Sequence, residues 1–270
     1  VCSPATIGSA SNDYYEATRA HADHLADISP KGRRVLQTVI VKLEDLVAPS
    51  RAHEIASIVS NSKAAGVYLV LVSDAKLRSE LRDVEELKGS MRLVSLLEGA
   101  GVPVLVACTS SDLVLWKAAG ATGCATGKYA NLRRFTTTRF NEAEEGGRIV
   151  AYWFEEALLA FLRTSDIQRV LPHRLAVAEP SNPFAEQILA QLRTDPEKAW
   201  VALGWRQYMQ WFALAEARLA SGEATARDLI RAAEKNWQML EERDVFMEER
   251  ANDGGWLRPW LRAVVEFKKS

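Results

Sequence analysis

Four short runs of almost unbroken apolar and β-branched residues constrain this chain more than any other feature. They lie at 35–43 (VLQTVIVKL), 66–73 (GVYLVLVS), 102–107 (VPVLVA) and, more weakly, 122–126 (TGCAT). Runs this short and this apolar offer water no polar face, so they read as strands buried on both sides. Amphipathic patterns separate them at 49–65, 81–100 and 110–119. Strand, helix and strand in that order require right-handed parallel crossovers. A further strand is expected at 1–7, followed by a helix through 14–25. Local signals agree. Gly99-Ala100-Gly101 supplies a left-handed helix stop, Ser110 or Ser111 is a candidate cap for the next helix, and Pro103 opens a strand where its missing N–H is tolerated.

Strand signals vanish after about residue 180, and helices are expected at 184–192, 195–221, 225–243 and 256–267. Pro172, Pro180 and Pro183 disfavour continuous helix between the two regions. The expected organisation is a β/α portion at 1–168, a linker at 169–183 and an all-α region at 184–270. Six of the eight Trp lie between 200 and 260, so the helical region is aromatic-rich. Trp200, Trp205, Tyr208, Trp211 and Phe212 crowd one helix together with Arg206. That pattern reads first as core packing and second as an interaction surface. Thr225 and Asp228 resemble a capping box. Leu229, Ala232, Ala233 and Leu240 fall on one face of that helix, with Asn236 and Trp237 at its edge.

Composition excludes several classes. Lys plus Arg is 34 and Asp plus Glu is 35, so the basic excess of a chain that chiefly coats nucleic acid or acidic membrane is missing. Three Cys rule out a disulfide scaffold and point to a reducing compartment. No run is long and apolar enough to span a bilayer and no leader pattern appears, so a cytoplasmic protein without membrane contact is expected.

The stretch 101–134, GVPVLVACTSSDLVLWKAAGATGCATGKYANLRR, resembles the last two strand units of phosphate-binding (β/α)₈ barrels. The resemblance implies a "GVPV" strand ending in small residues, a short helix, and an "AGATG" turn into a last strand that ends in Gly. It further implies a ligand phosphate held by backbone N–H groups of those loops. Such barrels usually carry paired Gly at the end of the seventh strand, where this chain has Cys108-Thr109-Ser110.

The residues themselves support an anion site. Gly123 and Gly127 permit close approach of a ligand, Thr109, Ser110 and Thr126 offer hydroxyls, and Lys128 is a point charge. From 128 to 140 the chain carries Lys128, Arg133, Arg134 and Arg139 and no acid. Arginines interleaved with aromatics suit phosphate or single-stranded nucleic acid. A solvated, glycine-driven turn is the competing reading, and a Walker loop is excluded because Tyr129 follows Lys128.

Ligands of parallel sheets lie at the carboxyl ends of the strands, which makes Lys42, Glu44 and Asp74 the catalytic candidates. Lys42 and Glu44 share a strand face by period two, so an ion pair explains them equally well. Cys108 and Cys124 have no nearby His and read as small buried residues. His21 and His24 lack a third ligand at known spacing, so no metal site is expected. No cofactor is indicated.

About 165 residues with four or five strands precede the linker, against the eight strands and roughly 250 residues of a complete barrel. The fold class expected is therefore α/β, with parallel units resembling the C-terminal part of such a barrel. Its two sheet edges would be bare, an aggregation hazard, which a second chain completing the sheet would relieve. Two functions compete. The first is binding of a phosphorylated small molecule or nucleotide at the strand ends, with chemistry left to Lys42, Glu44 or Asp74. The second is a non-catalytic scaffold for a protein or nucleic-acid partner, through the helical tail and the basic 128–139 segment.

Overall fold

A computed structural model of the chain describes residues 1–7, 11–75, 79–129, 132–137, 150–196 and 198–268. Strands β1 (Gln37–Lys42), β2 (Val67–Val72), β3 (Val104–Ala107) and β4 (Gly123–Cys124) form one sheet in the order β1-β2-β3-β4. Every pair is parallel. Each strand is shorter than the apolar run that signals it, because the outer residues turn into loops. The described strands make an open four-stranded sheet in a mixed α/β chain; barrel closure is not formed among them.

Helix α1 (Asn12–Ile28) precedes β1, and α2 (Pro49–Val59), α3 (Val84–Gly99) and α4 (Leu113–Ala118) fill the crossovers. They pack α1 on α2, α2 on α3 and α3 on α4, as one layer. Gln37 marks the sheet face beneath them, its Nε2 donating to Thr18 Oγ1 of α1 at 3.2 Å. Val39 and Val41 share that face by period two, and the register adds Val67, Leu69, Val104 and Val106, all buried. In α3 a Cβ on Gly89 would lie 2.0 Å from the Leu46 carbonyl oxygen, so only glycine lets this helix meet the turn after β1. Gly101, at φ +78°, provides the expected left-handed stop.

The serines before α4 do not cap it. Cys108 turns the chain at φ +56°, and the helix begins only after Asp112, which accepts the Ser110 N–H. Three further elements carry no readable signal: the antiparallel strands β5 (Trp153–Glu155) and β6 (Ala160–Leu162), and α5 (Thr164–Val170) after them. Three-residue strands are too short for period two to register. Their turn is fixed by the Glu155 carboxylate, which accepts from Trp153 Nε1 and from the N–H groups of Ala157 and Ala176.

Helices α6 (Pro183–Thr194), α7 (Val201–Ser221), α8 (Ala226–Glu241) and α9 (Leu257–Phe267) complete the chain. Thr225 caps α8 by accepting the Asp228 N–H. The buried face of α8 is Ala226, Ile230, Ala233, Trp237 and Leu240, with Ala232 exposed. Trp237 sits inside that face rather than at its edge because its Nε1 donates to the Leu158 carbonyl of the hairpin turn at 3.0 Å. Between hairpin and tail, Leu175, Ala176 and Asn182 are buried. The tail packs back on the sheet layer, α9 against α3 and α7 against α4 and β5, and one hydrophobic cluster runs through both regions.

Both sheet edges, expected to be bare, meet groups of this chain. Residues Cys2 and Leu36 form a parallel bridge, and the Thr38 N–H donates to the Ser3 hydroxyl. On the β4 side the Cys124 N–H donates to the Glu216 carboxylate of α7 at 2.6 Å. No helix among the described residues is long and apolar enough to cross a membrane.

Candidate functional site at the strand ends

The loop after β4 builds the site. A Cβ on Gly127 would lie 2.5 Å from Leu132 Cβ, so glycine permits the tight fold-back there. The chain then returns across the carboxyl edge of the sheet, where Phe135 forms a parallel bridge to Val72 and its carbonyl accepts the Ser73 N–H. This crossing lays Arg133 and Arg134 over the strand ends. Thr109 fixes the neighbouring turn, its N–H and its hydroxyl both donating to the Ala125 carbonyl.

Arg134 is 5% exposed, and its Nη2 lies 2.9 Å from Glu80 Oε2. Ser111 donates to the other oxygen of Glu80 at 3.2 Å. Burial pushes the Glu80 carboxyl up to about 7; Arg134 opposes the rise and Asp112 adds to it. Burial also raises Asp112, against the pull of Arg134 and of the Ser110 N–H. Taken together, Arg133, Arg134, Glu80 and Asp112 sum to zero formal charge when ionised, and to +1 once Glu80 takes a proton.

Arg133 is held differently. Its Nε and Nη2 donate to the carbonyls of Gly127 and Lys128, each at 3.0 Å. Its guanidinium carbon lies 4.0 Å from the centre of the Tyr208 ring and 4.5 Å from that of Phe161. No carboxylate pairs with it among the described residues, and burial lowers its pKa. The Tyr208 hydroxyl lies 2.8 Å from that of Thr126, and burial raises the phenol.

The tail closes the site. Trp260 Nε1 of α9 donates to the Leu81 carbonyl at 2.8 Å, and Arg82 Nη2 reaches Asp253 at 2.9 Å. These contacts clamp the segment that carries Glu80. A partly open cavity of about 70 Å³ remains, walled by Ser110, Glu80, Arg133, Arg134, Phe161 and Trp256, and by Glu249, whose carboxylate pairs with Arg163. A second void of about 10 Å³, near the size of one water, lies beside Cys108, Asp112 and Arg134.

Of the residues expected to bind a ligand, Ser110, Arg133 and Arg134 line the larger cavity, Thr109 borders the smaller one, and Thr126 joins through Tyr208. Gly127 contributes its turn and its carbonyl. Gly123 lies elsewhere, on the edge strand beneath Glu216. Lys128 is exposed and turned toward the Tyr129 and Trp205 rings. Arg139 falls outside the described residues. Lys42 and Glu44 form an exposed ion pair at 3.3 Å, and Asp74 is exposed; none of the three lines the cavity.

Sequence reasoning passed over Glu80 and Asp112, and took Tyr208 as part of an aromatic helix face rather than as a site residue. Asp112 had a signal, being the one acid between Glu98 and Glu142 and lying in a small-residue turn after a strand. Glu80 had none, since a carboxylate just ahead of a helix is ordinary. His21 and His24 are exposed on α1, and no group of three or more His, Cys, Asp or Glu that could hold a metal occurs among the described residues. Burial raises the Cys124 thiol well above its usual range, which makes it an inert core group. Comparison of the chain with protein-family models, curated proteins and solved structures found no match.

Proposed function

We propose that the strand-end cluster binds a small anion, or the phosphate, sulfate or carboxylate group of a small ligand, and that Glu80 carries the proton coupled to it. The observation that carries this reading is Arg133, a desolvated guanidinium without a carboxylate partner among the described residues, in the wall of a cavity shared with Arg134 and Ser110. Size decides between ligand classes. Pockets for whole cofactors and drug-sized ligands run to roughly 300–1,000 Å³. At about 70 Å³ this partly open cavity takes in one anionic group rather than a whole nucleotide, and any remainder of the ligand would extend through its mouth.

The topology supports the placement. Strands in sequential order under a single helix layer are what consecutive units of a (β/α)₈ barrel produce, and we read the sheet as resembling the C-terminal part of one. Ligands of such folds sit at the carboxyl edge, where Arg133 and Arg134 lie. An anion beside Glu80 stabilises its neutral form. By linkage the anion then binds more tightly once Glu80 is protonated. Glu80 is thus the group placed to pass a proton to or from a bound ligand.

Calorimetric titration with sulfate tests this, because sulfate keeps its charge across the pH range. Wild type should bind up to about tenfold more tightly at pH 6 than at pH 8, the change in neutral Glu80 over that window. Arg133→Met should lose binding while its circular dichroism stays that of the folded chain. Equal affinity in the two proteins would end the proposal.

A further inference from the structure

Beside the strand-end cluster, the exposed side of the same loop meets the exposed side of α7. Lys128 Nζ lies 4.8 Å from the centre of the Tyr129 ring and 5.8 Å from that of Trp205, and the Arg206 guanidinium carbon lies 5.5 Å from Trp205. Tyr129 is 51% exposed, and Met209, one turn along α7 from Trp205, is also exposed. Trp205 stands outside the core cluster that takes in Trp200, Tyr208, Trp211 and Phe212 of the same helical stretch. Lys128, Tyr129 and Arg206 are exposed and Trp205 is half-buried, so all four present surface outside the core.

Charge makes the patch selective. The chain carries no acid from 113 to 141 and none from 198 to 215, and the fold brings these two segments together. Among the described residues neither Lys128 nor Arg206 has a carboxylate within ion-pair distance. The next acid along α7, Glu216, is eleven residues from Trp205, about 16 Å along the axis, and is engaged by Cys124.

We propose that Lys128, Tyr129, Trp205 and Arg206 form a platform for single-stranded nucleic acid. Flat rings accept any base face, and the flanking cations meet the phosphates between bases. An acidic protein segment would satisfy the cations but leave the rings without stacking partners. The platform is separate from the anion cavity, which neither Lys128 nor Trp205 lines, although Arg133 holds the Lys128 carbonyl from the cavity side.

Fluorescence anisotropy of a labelled twelve-residue oligothymidylate against the full chain is the test. Lys128→Glu/Arg206→Glu should abolish binding, and Trp205→Ala should weaken it about tenfold, the loss of one stacked base. With two phosphate contacts on a single strand, raising salt from 50 to 200 mM should weaken wild-type binding by about sevenfold. Glu80→Gln, which should remove the pH dependence of sulfate binding, should bind the oligonucleotide like wild type, because Glu80 contacts Arg134 and Ser111 and not the platform loop. No binding at 50 mM salt overturns the proposal, as does Trp205→Ala binding like wild type. A labelled oligoglutamate bound with equal affinity, or a loss of oligonucleotide binding in Glu80→Gln, overturns it too.

Discussion

The carboxyl edge of the sheet has two halves of opposite character. At the ends of β1 and β2, Lys42, Glu44 and Asp74 stand in solvent. Glu80, farther along the β2–α3 connection, and Asp112 and Arg134, past β3 and β4, are enclosed, and the carboxyls of Glu80 and Asp112 are displaced upward by burial. Both halves offer charged side chains at the topological position where ligands gather. The cover separates them. The fold-back at 132–137, which reaches the end of β2 at Val72, the β5–β6 hairpin and the tail cover the second group and leave the first open. In a parallel sheet, position therefore nominates residues, and desolvation by distant segments decides which of them acquire unusual chemistry.

Removing the cover should have the largest effect. Trp260 is fully buried and holds the Leu81 carbonyl. Trp260→Ala should cost about 4 kcal/mol in urea unfolding, from lost packing and an orphaned acceptor. A loss below about 1 kcal/mol would show that the tail does not hold the Glu80 segment.

Within the covered half, Arg134→Met strands a buried carboxyl and should cost about 3 kcal/mol at pH 8. The cost should shrink at pH 5, where Glu80 is neutral, and Glu80→Gln in the same protein should restore most of it. Glu80 alone has a pH signature whose sign is fixed. Its folded value near 7 lies above the usual carboxylate range, so the native state holds the proton longer than the unfolded chain. Its contribution to stability is complete below about 4.5 and declines as pH rises to about 7. Chemical unfolding of wild type and Glu80→Gln across that window should show wild type losing ground with rising pH. Parallel curves would contradict the burial of Glu80.

The open half should respond least. Lys42→Met and Glu44→Gln should each change stability by no more than about 0.5 kcal/mol, as exposed pairs do. A larger change in either would mean that the open half is also covered.

What could be read from the sequence follows the range of the forces involved. The runs around Val39, Leu69 and Val106 announce strands because their burial is written into each residue and its neighbours. Arg133 and Arg134 were legible as an acid-free basic stretch, though not as one stacked and one paired guanidinium. Glu80 was not legible, because its chemistry comes from Trp260, Asp253 and Arg134, which stand far from it in the chain and act through space. The Trp153–Leu162 hairpin was hidden for a similar reason: Glu155 and Trp237 stabilise it from outside its own short strands.

The carboxylate of Glu216 occupies the free backbone donor of Cys124, so a helix side chain terminates the sheet where another strand would otherwise dock. Tyr208, whose ring supports Arg133, lies about two turns earlier on the same helix. An intruding strand, from a neighbouring molecule or an extended peptide, would have to displace α7 to pair with β4. That displacement would remove the floor of the guanidinium. Lengthening the sheet on this side and keeping the anion cavity intact are thus mutually exclusive states of one helix.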